Sequence, residues 1–134
     1  MDINQLKNII RIGRVSTVDA AACTCKVAFT DKDDLVSQDL PVLQLGSKDN
    51  KVYWLPDIDS QVVCIFLPNP SGRGLGSGVI LGCIYSTVDQ PAENNAGVKS
   101  IRFADGSYIR FADGALEIHV TSAIKLTAPR IDLN

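Results

Sequence analysis

The sequence is poor in the side chains on which most chemistry depends. Its 134 residues include one histidine, one tryptophan and one methionine, and aromatic residues make up 6%. With His119 as the single imidazole, no second histidine can act as its partner in proton transfer or complete a histidine-rich ligand set. A dominant charge of one sign is also missing. Thirteen Lys+Arg stand against fifteen Asp+Glu, a formal net charge of −2, so there is no general electrostatic drive toward phosphate backbones. No run approaches the roughly 20 apolar residues of a membrane helix. The opening MDINQLKNII has neither a basic leader nor a long apolar stretch of the signal-peptide kind, so a chain made and kept soluble is expected.

What is present is enough to fold. Hydrophobic residues are 46% and charged residues 21%, a balance that buries a core, and the length suits one compact domain with a short extension. Four cysteines occur, Cys23, Cys25, Cys64 and Cys83. Cys23-x-Cys25 lies in a strand-like run, where residues two apart share a face, and the other two sit in the apolar strings VVCIF and LGCIY. Buried free thiols acting as small hydrophobes are expected, rather than a metal site.

Ile3, Leu6 and Ile9 or Ile10 recur at helical spacing behind Asp2, which predicts a short N-terminal helix capped by that aspartate. The texture then becomes that of short strands: IRIGRVSTVDA, CTCKVAFTD, LPVLQLG, KVYWLP, SQVVCIFLP and GVILGCIYS, with a polar loop around Asp31 to Asp39 and a glycine-rich loop before the last. Short strands at this density predict an all-β fold, a small Greek-key barrel of the OB type over residues 1–87. A polar stretch with Pro91, two asparagines and Gly97 reads as a linker over 88–97.

Beyond it the string Ile101-Arg-Phe-Ala-Asp-Gly106 returns as Ile109-Arg-Phe-Ala-Asp-Gly114. Each copy has apolar residues two apart followed by the turn dipeptide Asp-Gly. The alternation continues through Leu116, Ile118 and Val120, then Ile124 and Leu126, then Ile131 and Leu133. A few short strands with one apolar face cannot bury that face alone, so residues 98–134 require covering by copies of themselves or by another chain.

The order of barrel, proline-containing linker and repeated β-tail resembles the phage baseplate assembly protein V family and, more distantly, VgrG-like spikes. The residues carrying the likeness are Arg11-Ile-Gly-Arg-Val15, Trp54-Leu-Pro56, Val63-Cys-Ile-Phe-Leu-Pro68, Gly78-Val-Ile-Leu-Gly82 with Ile84-Tyr-Ser86, Pro91, and Phe103-Ala-Asp-Gly106 with Ile109. Two departures stand out. Ser60 occupies a position where the family often has glycine, and no His-x-His pair of the metal-tipped kind is present.

The resemblance implies the central spike of a contractile phage tail or related injection particle. It would be a homotrimer located in the virion baseplate, docked on tail tube and hub proteins and piercing the host envelope. No enzymatic activity, cofactor or metal is expected, since His119 is the single histidine and the metal-tipped apex of many family members cannot be carried over. It implies an intertwined β-helix or β-prism over 98–134, with Ile101, Phe103, Ile109, Phe111, Leu116, Ile118, Val120, Ile124 and Leu126 along the axis. Arg102, Arg110, Glu117 and Lys125 would lie outside, and His119 would share their face. Ile131 and Leu133 would form a blunt tip surface for a separate tip protein.

Other readings are weaker. Gly72-Arg-Gly-Leu-Gly-Ser-Gly78 precedes a strand, whereas phosphate-binding glycine loops open a helix. Asp105 and Asp113 suit turns better than paired acid and base work. The alternative from another class is an OB-fold single-stranded nucleic acid binder, which needs a basic groove and stacking aromatics. Tyr53, Trp54 and Phe66 fall in runs where core packing explains them equally well, and no specific nucleic acid partner is expected.

Overall fold

A computed structural model describes residues 8–30, 35–67 and 77–134. The described residues are all β, in two antiparallel sheets, and the chain divides into two units, residues 1–90 and 91–134. The boundary falls inside the span read as linker.

Unit 1 contains β1 (Ile10–Asp19), β2 (Thr24–Phe29), β3 (Leu35–Val36), β4 (Leu40–Pro41), β5 (Gln61–Phe66) and β6 (Gly78–Cys83). The sheet order is β3-β2-β1-β5-β6, with β4 also paired to β2. Period-two alternation decides what goes inside. Cys25, Val27 and Phe29 from β2, Val62, Cys64 and Phe66 from β5, Val15 from β1, Leu40 from β4 and Ile80 from β6 form one buried cluster. Phe29 and Phe66 meet edge to face at 5.8 Å, and the Arg11 guanidinium lies 4.1 Å from the Phe29 ring centroid. Gly13 is required by close approach. A Cβ there would come within 2.6 Å of a Val27 methyl and 2.7 Å of the Ala28 carbonyl oxygen.

Among the described residues the sheet does not close into a barrel. One parallel bridge, Val42 to Ile80, links the β4 side to β6, and the Leu43 N–H donates to the Ile80 carbonyl at 2.9 Å. The run KVYWLP, expected as a strand, forms none: residues 52–57 are irregular, and only Lys51 bridges, to Ser47. LPVLQLG contributes only Leu40–Pro41 and the Val42 bridge. The predicted N-terminal helix falls largely on residues 1–7, outside the described residues. Its last turn is corrected, because Ile10 is extended and pairs with Ile65 at the start of β1. No helix occurs among the described residues. The glycine-rich loop also lies mostly outside them.

Unit 2 is a three-stranded meander of β7 (Lys99–Arg102), β8 (Tyr108–Ala112) and β9 (Ala115–His119), in the order β7-β8-β9. The two Asp-Gly dipeptides make both turns, in different ways. Asp113 and Gly114, with φ of 52° and 78°, form a two-residue loop between paired Ala112 and Ala115, the left-handed pair that such tight hairpins demand. The first copy makes a longer loop, in which the Gly106 N–H donates to the Phe103 carbonyl, Gly106 has φ 93°, and the Phe103 N–H reaches Ser107. Residues 120–134 form no strand. A strand exists by pairing, and this segment has no paired neighbour within its own chain.

Candidate functional site

Register sorts the unit 2 side chains into two faces. Ile101 pairs with Ile109, which pairs with Ile118; Phe111 lies between Lys99 and Leu116. These two cross-strand rows put Ile101, Ile109, Phe111, Leu116 and Ile118 on one side of the sheet. Phe103 and Val120 continue the same parity just beyond β7 and β9. Apart from half-buried Val120 these side chains are exposed, Phe111 at 47% and Leu116 at 65%. Ser107 is the single buried residue of unit 2.

The opposite face is knitted together. Glu93 bridges two strands, accepting from Arg102 at 2.7 Å and pairing with Arg110 at 3.1 Å. Those hydrogen bonds, Arg102 first and Arg110 second, hold the Glu93 carboxyl below its ordinary pKa. The Tyr108 hydroxyl donates to Glu117 at 2.7 Å, which raises the tyrosine pKa, and the Tyr108 ring stacks on His119 at 5.2 Å. Asp105 accepts from the Ser107 N–H at 2.9 Å and from the Thr121 hydroxyl at 3.0 Å, and its pKa is lowered chiefly by the Ser107 backbone bond. Lys99, paired with Phe111, is the charged residue on the apolar side, and its ammonium is turned to the Ala96 carbonyl at 2.7 Å.

The remaining predicted positions are not gathered into a site within one chain. Ile124, Leu126, Ile131 and Leu133 are all exposed on the strandless tail, Leu133 at 91%. Lys125 lies on that tail too. Among the described residues no group of three or more His, Cys, Asp or Glu is placed to hold a metal ion.

The cysteine expectation needs correction. Cys25 and Cys64 are buried, and burial pushes the Cys64 thiol up to about 11. Cys23 is only partly buried and sits at φ 56° in the turn before β2, and Cys83 is exposed at the end of β6. Ser60 itself needs no left-handed backbone. The left-handed residue is Asp59 (φ 72°), while the Ser60 N–H and hydroxyl both donate to the Asp57 carbonyl.

Sequence reasoning missed a cleft in unit 1. It has a volume of about 690 Å³ and is lined by residues of the 54–61 segment and of 83–89, including Trp54, Asp57, Ile58, Tyr85 and Asp89. Tyr53 and Trp54, expected in a strand with packing contacts, are largely exposed, whereas Phe66 is buried. The only available signal was the Pro56-Asp-Ile-Asp59 string between two apolar runs, a turn-rich composition with no apolar periodicity. No protein-family model matches the chain, and neither does any curated protein sequence.

Proposed function

We propose that this chain is the central spike of a contractile phage tail or phage-tail-like injection particle, acting as a homotrimer and not as an enzyme. The observation that carries the reading is the exposed, largely apolar face of unit 2 opposite a polar face held by ion pairs and hydrogen bonds. A single-layer sheet gains no burial from its apolar face until a second layer covers it, and copies of the same sheet are the simplest cover. Three sheets facing one axis would bury Ile101, Phe103, Ile109, Phe111, Leu116, Ile118 and Val120, continue through Ile124 and Leu126, and close the unpaired outer edges of β7 and β9. Arg102, Arg110, Glu117 and His119 would lie outside.

Unit 1 would be an OB-type collar on the tail tube and hub. Its connectivity supports this: β1 pairs with both β2 and β5, β5 pairs with β6, and the parallel Val42–Ile80 bridge joins the β4 side to β6. Sheath contraction would supply the work of crossing the host envelope, and the spike would transmit axial force. Ile131 and Leu133 would form a blunt end for a separate tip protein. The single-stranded nucleic acid alternative has exposed Trp54 and Tyr85 in its favour but requires cations beside them, and their cleft neighbours are Asp57, Asp59 and Asp89.

Light scattering on the full chain tests the reading. The expected mass is three times the chain's 14.4 kDa, and a chain ending at Gly97 is expected to lose the association. A monomeric full-length protein would overturn the proposal.

A further inference from the structure

The unit 1 cleft has a composition that the spike reading does not use. Trp54, Ile58 and Tyr85 present large apolar surfaces there, exposed by 53%, 60% and 63%. The carboxylates of Asp57, Asp59 and Asp89 share the cleft, and among the described residues none of the three has a side-chain hydrogen bond or ion pair. Among the described residues no lysine or arginine lines it. Arg14, the basic residue at the Asp59 turn, is engaged with the Asp59 backbone carbonyl at 3.1 Å. That guanidinium keeps its charge, so the cleft sets three carboxylates against one flanking cation and is acidic on balance.

The cleft is also preorganised. Gln44 pins the backbone of Trp54 from both sides, accepting from its N–H at 3.0 Å and donating to its carbonyl at 2.8 Å. The Asp59 N–H is tied to the Val15 carbonyl at 2.9 Å. Ser86 holds the last wall, its hydroxyl oxygen accepting from the Val88 and Asp89 N–H groups at 3.2 and 3.0 Å. Such a site selects a ligand that stacks a planar cation on an aromatic face, pairs with carboxylates and places an apolar group against Ile58. A guanidinium does the first two together.

We infer that this cleft is a docking socket for an extended, arginine-bearing segment of a partner protein. The charge complementarity chooses the occupant, since acidic segments and nucleic acid would be repelled by the same three carboxylates. The inference stands on unit 1 alone and holds whether or not the chain trimerises through unit 2.

The single tryptophan makes the test direct, because fluorescence excited at the red edge of the band, where the three tyrosines do not absorb, reports on Trp54 alone. The full-length protein is titrated with a capped hexapeptide alternating leucine and arginine, and with its leucine–glutamate counterpart. A saturable response to the arginine peptide is expected, weakening as salt rises. It should weaken at least tenfold in the D57N/D59N/D89N variant, in which asparagine still tolerates the left-handed backbone at 59. Light scattering and circular dichroism of that variant should match the parent, which separates this test from the fate of the spike reading. Equal binding of the glutamate peptide, unchanged affinity in the variant, or no saturable response up to a few millimolar would each overturn the inference. A concentration-dependent Trp54 signal without peptide, lost in the variant, would make a second copy the occupant and overturn the assignment to a partner protein.

Discussion

Unit 1 and unit 2 are built from the same alternating pattern, yet they complete it differently. In unit 1 strands from distant parts of the sequence turn their apolar faces toward each other, and nine side chains form a buried cluster. In unit 2 three consecutive strands lie in one layer, and Ser107 alone is buried. Alternation therefore states which side of a strand avoids water, but a second layer must exist before that side can be buried. Unit 1 supplies its own; the three strands of unit 2 do not.

The sharpest way to break this contrast is Phe111→Asp. In the proposed trimer it would bury three unpaired carboxylates, each costing several kcal/mol, and light scattering should show assembly abolished. Phe103→Asp should do the same. Arg102→Asp loses an exposed pair with Glu93 and a ring contact with Tyr108 and sets a second carboxylate beside Glu93, a solvent-screened change that should lower stability modestly with the oligomer intact. Equal loss at Phe111 and Arg102 would show the two faces to be wrongly assigned.

Next in size, Phe29→Ala should destabilise unit 1 by about 3–5 kcal/mol in urea denaturation, because the ring is fully buried against Phe66. The matching Phe111→Ala should leave the unit 1 transition unchanged and act on association alone. Gly13→Ala should cost about 1–3 kcal/mol, as its new methyl meets a Val27 methyl and the Ala28 carbonyl at less than contact distance. Gly114→Ala has open space around it but a φ of 78°, so about 1 kcal/mol is expected from backbone strain alone, read as a lower melting temperature of unit 2.

The smallest effect is the pH dependence of the Glu93 bridge. Arg102 and Arg110 lower its folded pKa below the ordinary 4.5. Its stabilisation is therefore complete above that value and is lost as pH falls through the folded pKa. Thermal unfolding of unit 2 between pH 7 and pH 3 should show the loss, and Glu93→Gln should reduce it while leaving the part contributed by Asp105, whose pKa is lowered too. An unchanged acid profile in that variant would remove Glu93 as a clamp.

Much of the fold was legible because it rests on local rules. The alternation in TCKVAF and QVVCIF predicts β2 and β5 along with their buried faces, and the repeated Ile-Arg-Phe-Ala-Asp-Gly predicts two strands and two turns in unit 2. The same string nevertheless makes two different loops. Turn type follows from which residue after the glycine pairs back, Ser107 with Phe103 in one case and Ala115 with Ala112 in the other, and pairing is not a property of the hexapeptide.

What the sequence by itself determined is the face of each regular strand and the chemistry of its turns, since backbone geometry alternates side chains wherever a strand forms. The tertiary structure alone decided where strands were absent. KVYWLP has strand composition, but Gln44 captures the Trp54 backbone, and with those hydrogen bonds taken by a side chain no ladder forms there. That capture leaves Trp54 exposed, and the turns at 57–60 and 86–89 set Asp57, Asp59, Tyr85 and Asp89 into the same cleft. Residues more than twenty positions apart meet there because β5 and β6 pair, and no local pattern encodes which strands will pair.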